Sequence, residues 1–183
     1  MNLLQNTTAL ALAMCEKYIK EDSVAVDATC GRGNDTLWLT KRCRKVYAFD
    51  IQEEAVESTR VLLETAGETA EVICASHKKI KEYVSENPDV IVYNLGYLPG
   101  GDKNLTTEAE ETLLALGRSL EILAINGLLS VTMYPGHPQG ACEQELILAW
   151  ARELDKSRFH CVFANMLNQS QAAPQILWIT KKK

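Results

Sequence analysis

Short apolar runs alternate along the 183-residue chain with longer stretches whose apolar residues recur every three or four positions. The short runs are rich in β-branched residues and cover 24–28, 46–50, 71–75, 90–95, 127–134, 159–164 and 176–180. Each reads as a strand. The helical period covers 6–20, 34–41, 53–66, 106–125 and 139–155, with a weaker segment near 79–85. Asp35 and Thr36 are placed to cap the second helix, and Gly67 to end the third. Strands that are apolar on both faces and separated by helices predict an α/β fold. The expected form is a doubly wound, mostly parallel seven-stranded sheet with helices on both faces and an antiparallel last strand. No repeat or linker interrupts the pattern, so one domain spanning 1–183 is expected. Residues 96–105, Gly-Tyr-Leu-Pro-Gly-Gly-Asp-Lys-Asn-Leu, form the long irregular loop of mid-chain. That loop follows a central strand, where open α/β sheets place ligands.

Composition narrows the classes. With 46% hydrophobic and 23% charged residues the chain reads as a soluble globular protein. A net charge of −5 counts against a dedicated duplex-DNA binder. Three basic clusters stand out: Lys41, Arg42, Arg44 and Lys45; Lys78, Lys79 and Lys81; and Lys181 to Lys183. Each is expected to be solvated surface, with phosphate contact as the alternative. The six cysteines form no C-x-x-C pair, so zinc is not expected and the thiols are expected to be free in a reducing, cytoplasmic setting. Glu16, Lys17 and Lys20 break the first apolar run, which excludes a signal-peptide reading, and no run is long enough for a membrane span. Leu3, Leu4, Leu10, Leu12 and Met14 give the first helix an apolar side that covers either the sheet or a second subunit; a homodimer is expected.

The first strand ends at Asp27 and runs into Ala-Thr-Cys-Gly-Arg-Gly-Asn-Asp. Gly31 and Gly33 permit a tight turn and close approach to a ligand. A nicotinamide site wants G-x-G-x-x-G beneath a pyrophosphate. Here Thr36 stands at the third glycine position, and two carboxylates, Asp27 and Asp35, flank the loop. Negative charge there repels a pyrophosphate and attracts a sulfonium, which points to S-adenosylmethionine. The second strand ends in Asp50, 23 residues after Asp27, where a carboxylate can accept both ribose hydroxyls. Asp50 can equally cap the helix that begins near 53. Thr29, Asn34 and Gln52 join the candidate cofactor set. Ser76 and His77 follow the third strand and are placed at the adenine rim, although His77 also reads as a plain surface histidine.

The fourth strand leads into Asn94-Leu-Gly-Tyr97, which matches the first and last positions of the Asn-Pro-Pro-Tyr loop of amine methyltransferases. Methylating an amine requires acceptors that orient its hydrogens and leave the lone pair free. The Asn94 side-chain oxygen can supply one, and Tyr97 can stack on a base or hold a cation. A protonated amine must also lose a proton, for which Asp102 and His137 are candidates. Tyr134-Pro-Gly-His137, Asn165-Met-Leu-Asn-Gln169 and Ala173-Pro174 are loops expected at the same sheet edge.

Asp-Ala-Thr-Cys-Gly-Arg-Gly-Asn-Asp-Thr (27–36), Ala-Phe-Asp-Ile-Gln (48–52), Ser-His (76–77), Asn-Leu-Gly-Tyr-Leu-Pro-Gly-Gly-Asp-Lys (94–103), Tyr-Pro-Gly-His-Pro-Gln-Gly (134–140) and Asn-Gln (168–169) occur in order along the chain. Together they resemble the small bacterial class I methyltransferases labelled rRNA methylases, the MnmM or YtqB-like family. The resemblance spans residues 3 to 180. It implies a Rossmann-like fold, S-adenosylmethionine as methyl donor, and the 5-aminomethyl group of wobble 2-thiouridine as acceptor. It also implies a tRNA anticodon loop as partner, met without a separate RNA-binding domain. Transfer to rRNA or to a small molecule, and a catalytically silent cofactor-binding module, are the competing readings.

Overall fold

A computed structural model describes residues 3–96 and 105–183, with the side chains of 105–108 left out. The strands are β1 (Val24–Asp27), β2 (Lys45–Asp50), β3 (Glu71–Cys74), β4 (Val90–Leu95), β5 (Leu128–Met133), β6 (Phe159–Ala164) and β7 (Gln175–Lys181). They form one seven-stranded sheet in the order β3-β2-β1-β4-β5-β7-β6. Pairing is parallel from β3 through β5 and antiparallel where β7 joins β5 and β6. The expected strand ends hold to within a residue.

The helices are α1 (Thr7–Glu16), α2 (Asn34–Thr40), α3 (Glu53–Ala66), α4 (Ile80–Tyr83), α5 (Leu105–Ile122) and α6 (Pro138–Arg152). Alternation along the central strands divides the core in two. Val24, Val26 and Ala28 of the first strand segment, with Ile91 and Tyr93 of β4, pack under Ala115, Leu116 and Leu120 of α5 and Ile147 of α6. Ala25, Val90 and Val92 face the other way, onto Ala11 and Cys15 of α1 and Leu39 of α2. Both faces of these strands are therefore buried, as a doubly wound sheet requires. The sheet edges differ: β3 and β6 leave most of their residues half or fully exposed, because among the described residues neither has a strand paired on its outer side.

Several helix ends depart from the sequence reading. The first helix stops at Glu16 rather than 20. Tyr18 and Ile19 keep the apolar period but pack on the core from a turn that delivers the chain to β1. The second helix is capped by Gly33 in the left-handed region, not by the Asp35 or Thr36 side chain. Gly67, with φ 68°, does end α3. The last turns expected for the fifth and sixth helices, to 125 and 155, are not helical.

The basic clusters are largely committed within the protein. Arg42 pairs with Glu16 at 3.2 Å, Arg44 with Glu86 at 2.6 Å, and Lys45 with Glu71 at 2.9 Å. Lys78 pairs with Glu111 at 2.7 Å, and Lys81 with Glu121. Lys181 Nζ donates to the Glu121 and Leu123 carbonyls at 2.9 and 2.8 Å, which closes the end of α5.

Candidate active site

Strand order reverses between β1 and β4, and the crevice at their C-terminal ends is where this topology places ligands. The chain leaving β1 is held down by Ala28 N donating to Val92 O (2.8 Å), Cys30 N to Phe49 O (2.8 Å) and Gly33 N to Cys30 O (2.7 Å). Gly31 and Gly33 have φ of 53° and 81°, a region that costs other residues energy. Gly33 is also crowded: a Cβ there would lie 3.0 Å from Thr59 Cα and Oγ1. Thr59 of α3 donates to Gly31 O at 3.2 Å, so the helix presses on the loop and fastens it.

Three carboxylates surround this turn. Asp27 is 0% exposed and accepts from Thr36 Oγ1 at 2.6 Å and Thr29 N at 3.2 Å. Burial first, then the nearby Asp35 charge, push its carboxyl from 3.8 up to about 7. Asp27 thus shapes the loop from beneath instead of meeting solvent. The Thr36 hydroxyl that was expected to cap α2 serves this buried acid. Asp50 accepts from Gly31 N and Gln52 N, both at 3.0 Å, which fastens the glycine turn to β2. Its side chain does not cap α3; that position belongs to Gln52. Each Asp50 oxygen keeps a further lone pair for a ligand. Asn34, Ile51 and Gln52 are exposed around it, Ile51 at 63%. Among the described residues, no Lys or Arg forms an ion pair with Asp27, Asp35 or Asp50.

Asp35 and Asn94, expected to serve cofactor and acceptor separately, meet. Asn94 Nδ2 donates to Asp35 Oδ2 at 3.3 Å, and Asn94 N donates to Thr29 Oγ1 at 2.7 Å. Asn94 Oδ1 is buried and has no hydrogen-bond partner among the described residues. A buried, unpartnered acceptor at a crevice marks a place for a donor group. Burial raises the Asp35 carboxyl, and the Asn94 amide partly opposes it.

His77 is not a plain surface histidine. Its ring stands edge-on to Tyr93, centroids 5.4 Å apart, and hydrogen-bonds the Ala28 main chain. Burial lowers its pKa. Ser76 Oγ accepts from Lys78 N at 3.4 Å and starts the short 3-10 turn that follows β3. His137 Nδ1 accepts from Gly140 N at 3.1 Å and caps α6. With Nδ1 accepting, the neutral ring carries its hydrogen on Nε2. A Cβ on Gly140 would lie 2.1 Å from the Tyr134 carbonyl and 2.9 Å from the His137 ring, which explains the glycine three residues after the histidine. Gly136 rests against the Ala172 carbonyl, so the Tyr134–His137 loop meets the loop before β7. Met133 pairs with Leu95 and Gln175, placing both loops at the edge that carries Asn94. Tyr97 and Asp102 lie outside the described residues.

Thr59 was not foreseen. Its period on α3 marks only an inward-facing position, and nothing in the sequence tells that it presses on a glycine. Among the described residues no group of three His, Cys, Asp or Glu could hold a metal ion, and no helix is long and apolar enough to cross a membrane.

The sheet order, the glycine turn beneath it and the acid at the end of β2 define a Rossmann-like, S-adenosylmethionine-dependent methyltransferase. The profile of the family described as "Putative rRNA methylase" matches residues 46–180, and the chain belongs to that family. The chain is 38% identical over 194 residues to the chloroplastic tRNA (mnm(5)s(2)U34)-methyltransferase of Arabidopsis thaliana, covering 98% of this chain and 70% of the relative. A "putative rRNA-methylase" from Clostridium thermocellum superposes with a TM-score of 0.89 at 30% identity, covering 96% of this chain and 97% of that one. A "putative methyltransferase" from Streptococcus mutans, solved in complex with SAH, gives 0.87 at 35% identity, covering 96% and 98%.

Proposed function

We propose that this methyltransferase acts on the exocyclic amine of 5-aminomethyl-(2-thio)uridine at the wobble position of tRNA. The observation that carries the reading is the buried Asn94 Oδ1, which has no partner among the described residues and sits at the crevice between β1 and β4. Asp35 accepts from the amide nitrogen, which leaves the oxygen as the acceptor for a donor group. That arrangement suits an N–H of the acceptor. The Arabidopsis relative is named for an amine-bearing nucleoside of the same kind.

S-adenosylmethionine, when bound, supplies a methyl group already activated by its sulfonium. Asp50 and Gln52 hold the ribose, Ile51 and the Ser76–His77 turn border the adenine, and Thr29, Gly31, Gly33 and Asn34 form the floor. Asp27 contributes from below by fixing Thr29 and Thr36. Asn94 orients the amine and Tyr97 stacks on the base. Positioning supplies most of the rate. A single domain, 1–183, does this in the cytoplasm as a homodimer.

The anticodon loop approaches the same edge. Arg32, between the two glycines, and Lys79, beyond β3, are exposed there. Nucleoside mass spectrometry of tRNA from a deletion strain is expected to show the aminomethyl form accumulating and the methylaminomethyl form lost. Unchanged nucleosides contradict the proposal. The family description favours rRNA as the second acceptor class, and labelled cofactor with fractionated RNA separates the two.

A further inference from the structure

One expected proton acceptor, His137, uses Nδ1 to cap α6. We infer that Asp35 is the proton acceptor of the reaction, working in tandem with Asn94. The inference rests on the amine-acceptor reading above.

The geometry carries it. Asp35 lies in the first turn of α2, directly after the glycine turn, and is half-buried. It holds Asn94 Nδ2 with one oxygen at 3.3 Å, so the Asn94 amide cannot flip without losing that bond. The amide therefore keeps Oδ1, a buried atom without a described partner, as its acceptor. A primary ammonium entering here meets two acceptors of different kinds. The neutral Asn94 oxygen takes one N–H and keeps it. The Asp35 carboxylate takes another and can remove it. One N–H bond breaks, one O–H bond forms on Asp35, and the electron pair stays on nitrogen for methylation. Asp35 returns its proton to water after the product leaves.

Burial and the Asn94 amide act on Asp35 in opposite directions, burial raising its pKa and the amide lowering it. Asp27 of β1 and Cys15 of α1 lie within electrostatic reach of it, and Asn94 of β4 is its hydrogen-bond partner. No described Lys or Arg pairs with it. Burial raises its carboxyl pKa, bringing it nearer that of the amine it serves.

Asp35→Asn tests this in the full-length protein with tRNA bearing a wobble aminomethyl group. The amide keeps the size and a bond to Asn94 but cannot take a proton. Turnover at pH 7 is expected to fall about 100-fold. It should then climb roughly tenfold per pH unit, as solvent deprotonates the amine. Formate should partly restore Asp35→Ala. A loss parallel at every pH, or full activity, overturns the inference. If the wild type itself transfers no methyl to this tRNA, the proposed function fails first and this inference with it.

Discussion

Replacing Gly33 with alanine tests whether the cofactor turn is fixed by backbone geometry. Gly33 has φ 81°, in the left-handed region, which costs an L-residue about 1–2 kcal/mol. The new Cβ would also lie 3.0 Å from Thr59 Cα and Oγ1 and 3.1 Å from Cγ2. The Cα belongs to the α3 backbone and cannot rotate away, so the helix or the turn must move. Overpacking of this kind costs about 1–3 kcal/mol. Alanine restores about 0.4–1 kcal/mol by stiffening the unfolded chain. The net expectation is a loss of roughly 2–4 kcal/mol. Gly67 provides the control. It has φ 68°, but none of the described residues lies within 4 Å of where a Cβ would sit, so Gly67→Ala should cost only about 1 kcal/mol. Denaturant unfolding compares the two variants, and titration with SAH reads the site. Gly33→Ala should weaken SAH by about tenfold or more, equivalent to about 1.4 kcal/mol, and Gly67→Ala should leave it unchanged. Equal destabilisation of the two, or wild-type SAH affinity in Gly33→Ala, would refute the reasoning.

Asp27 makes stability depend on pH. Its folded pKa of about 7 lies above the unfolded value of 3.8, so the folded state holds the proton more tightly. This group's contribution is full below pH 4 and is lost as pH rises through 7, on the order of a few kcal/mol; Asp27→Asn should flatten that decline in chemical-denaturation curves. His137→Ala should cost about 1 kcal/mol by removing the α6 cap, and His137→Asn should recover most of it, as read by thermal melting. Arg32→Ala and Lys79→Ala should each weaken tRNA binding and lower the salt slope by about one. Arg44→Ala should change neither, because Arg44 is paired with Glu86 before β2, away from the strand C-termini.

The α/β alternation was legible because Val26, Ile91 and Leu129 sit in runs buried on both faces, and such runs have few other uses. Asp50 was legible for a similar reason: an acid ending the second strand has a small set of roles. Helix ends were less so. Tyr18 and Ile19 continue the apolar period of α1, yet they pack from a turn, since burial and helicity share that signal. Asp27 and Asp35 look alike flanking the turn, but one is sealed under Thr36 and the other faces Asn94. Only the three-dimensional position of β4 separates them. The contact between Gly33 and Thr59 joins residues on two elements and leaves no local trace in the chain.

The central claim is that the crevice beside Asn94 methylates an amine on tRNA. The most direct measurement is digestion and mass spectrometry of wobble nucleosides after incubating the purified protein with S-adenosylmethionine and tRNA carrying 5-aminomethyl-2-thiouridine. One methyl group on the aminomethyl nitrogen, lost in Asn94→Ala, is the predicted result. No methyl on that nucleoside, or undiminished transfer by Asn94→Ala, would contradict it.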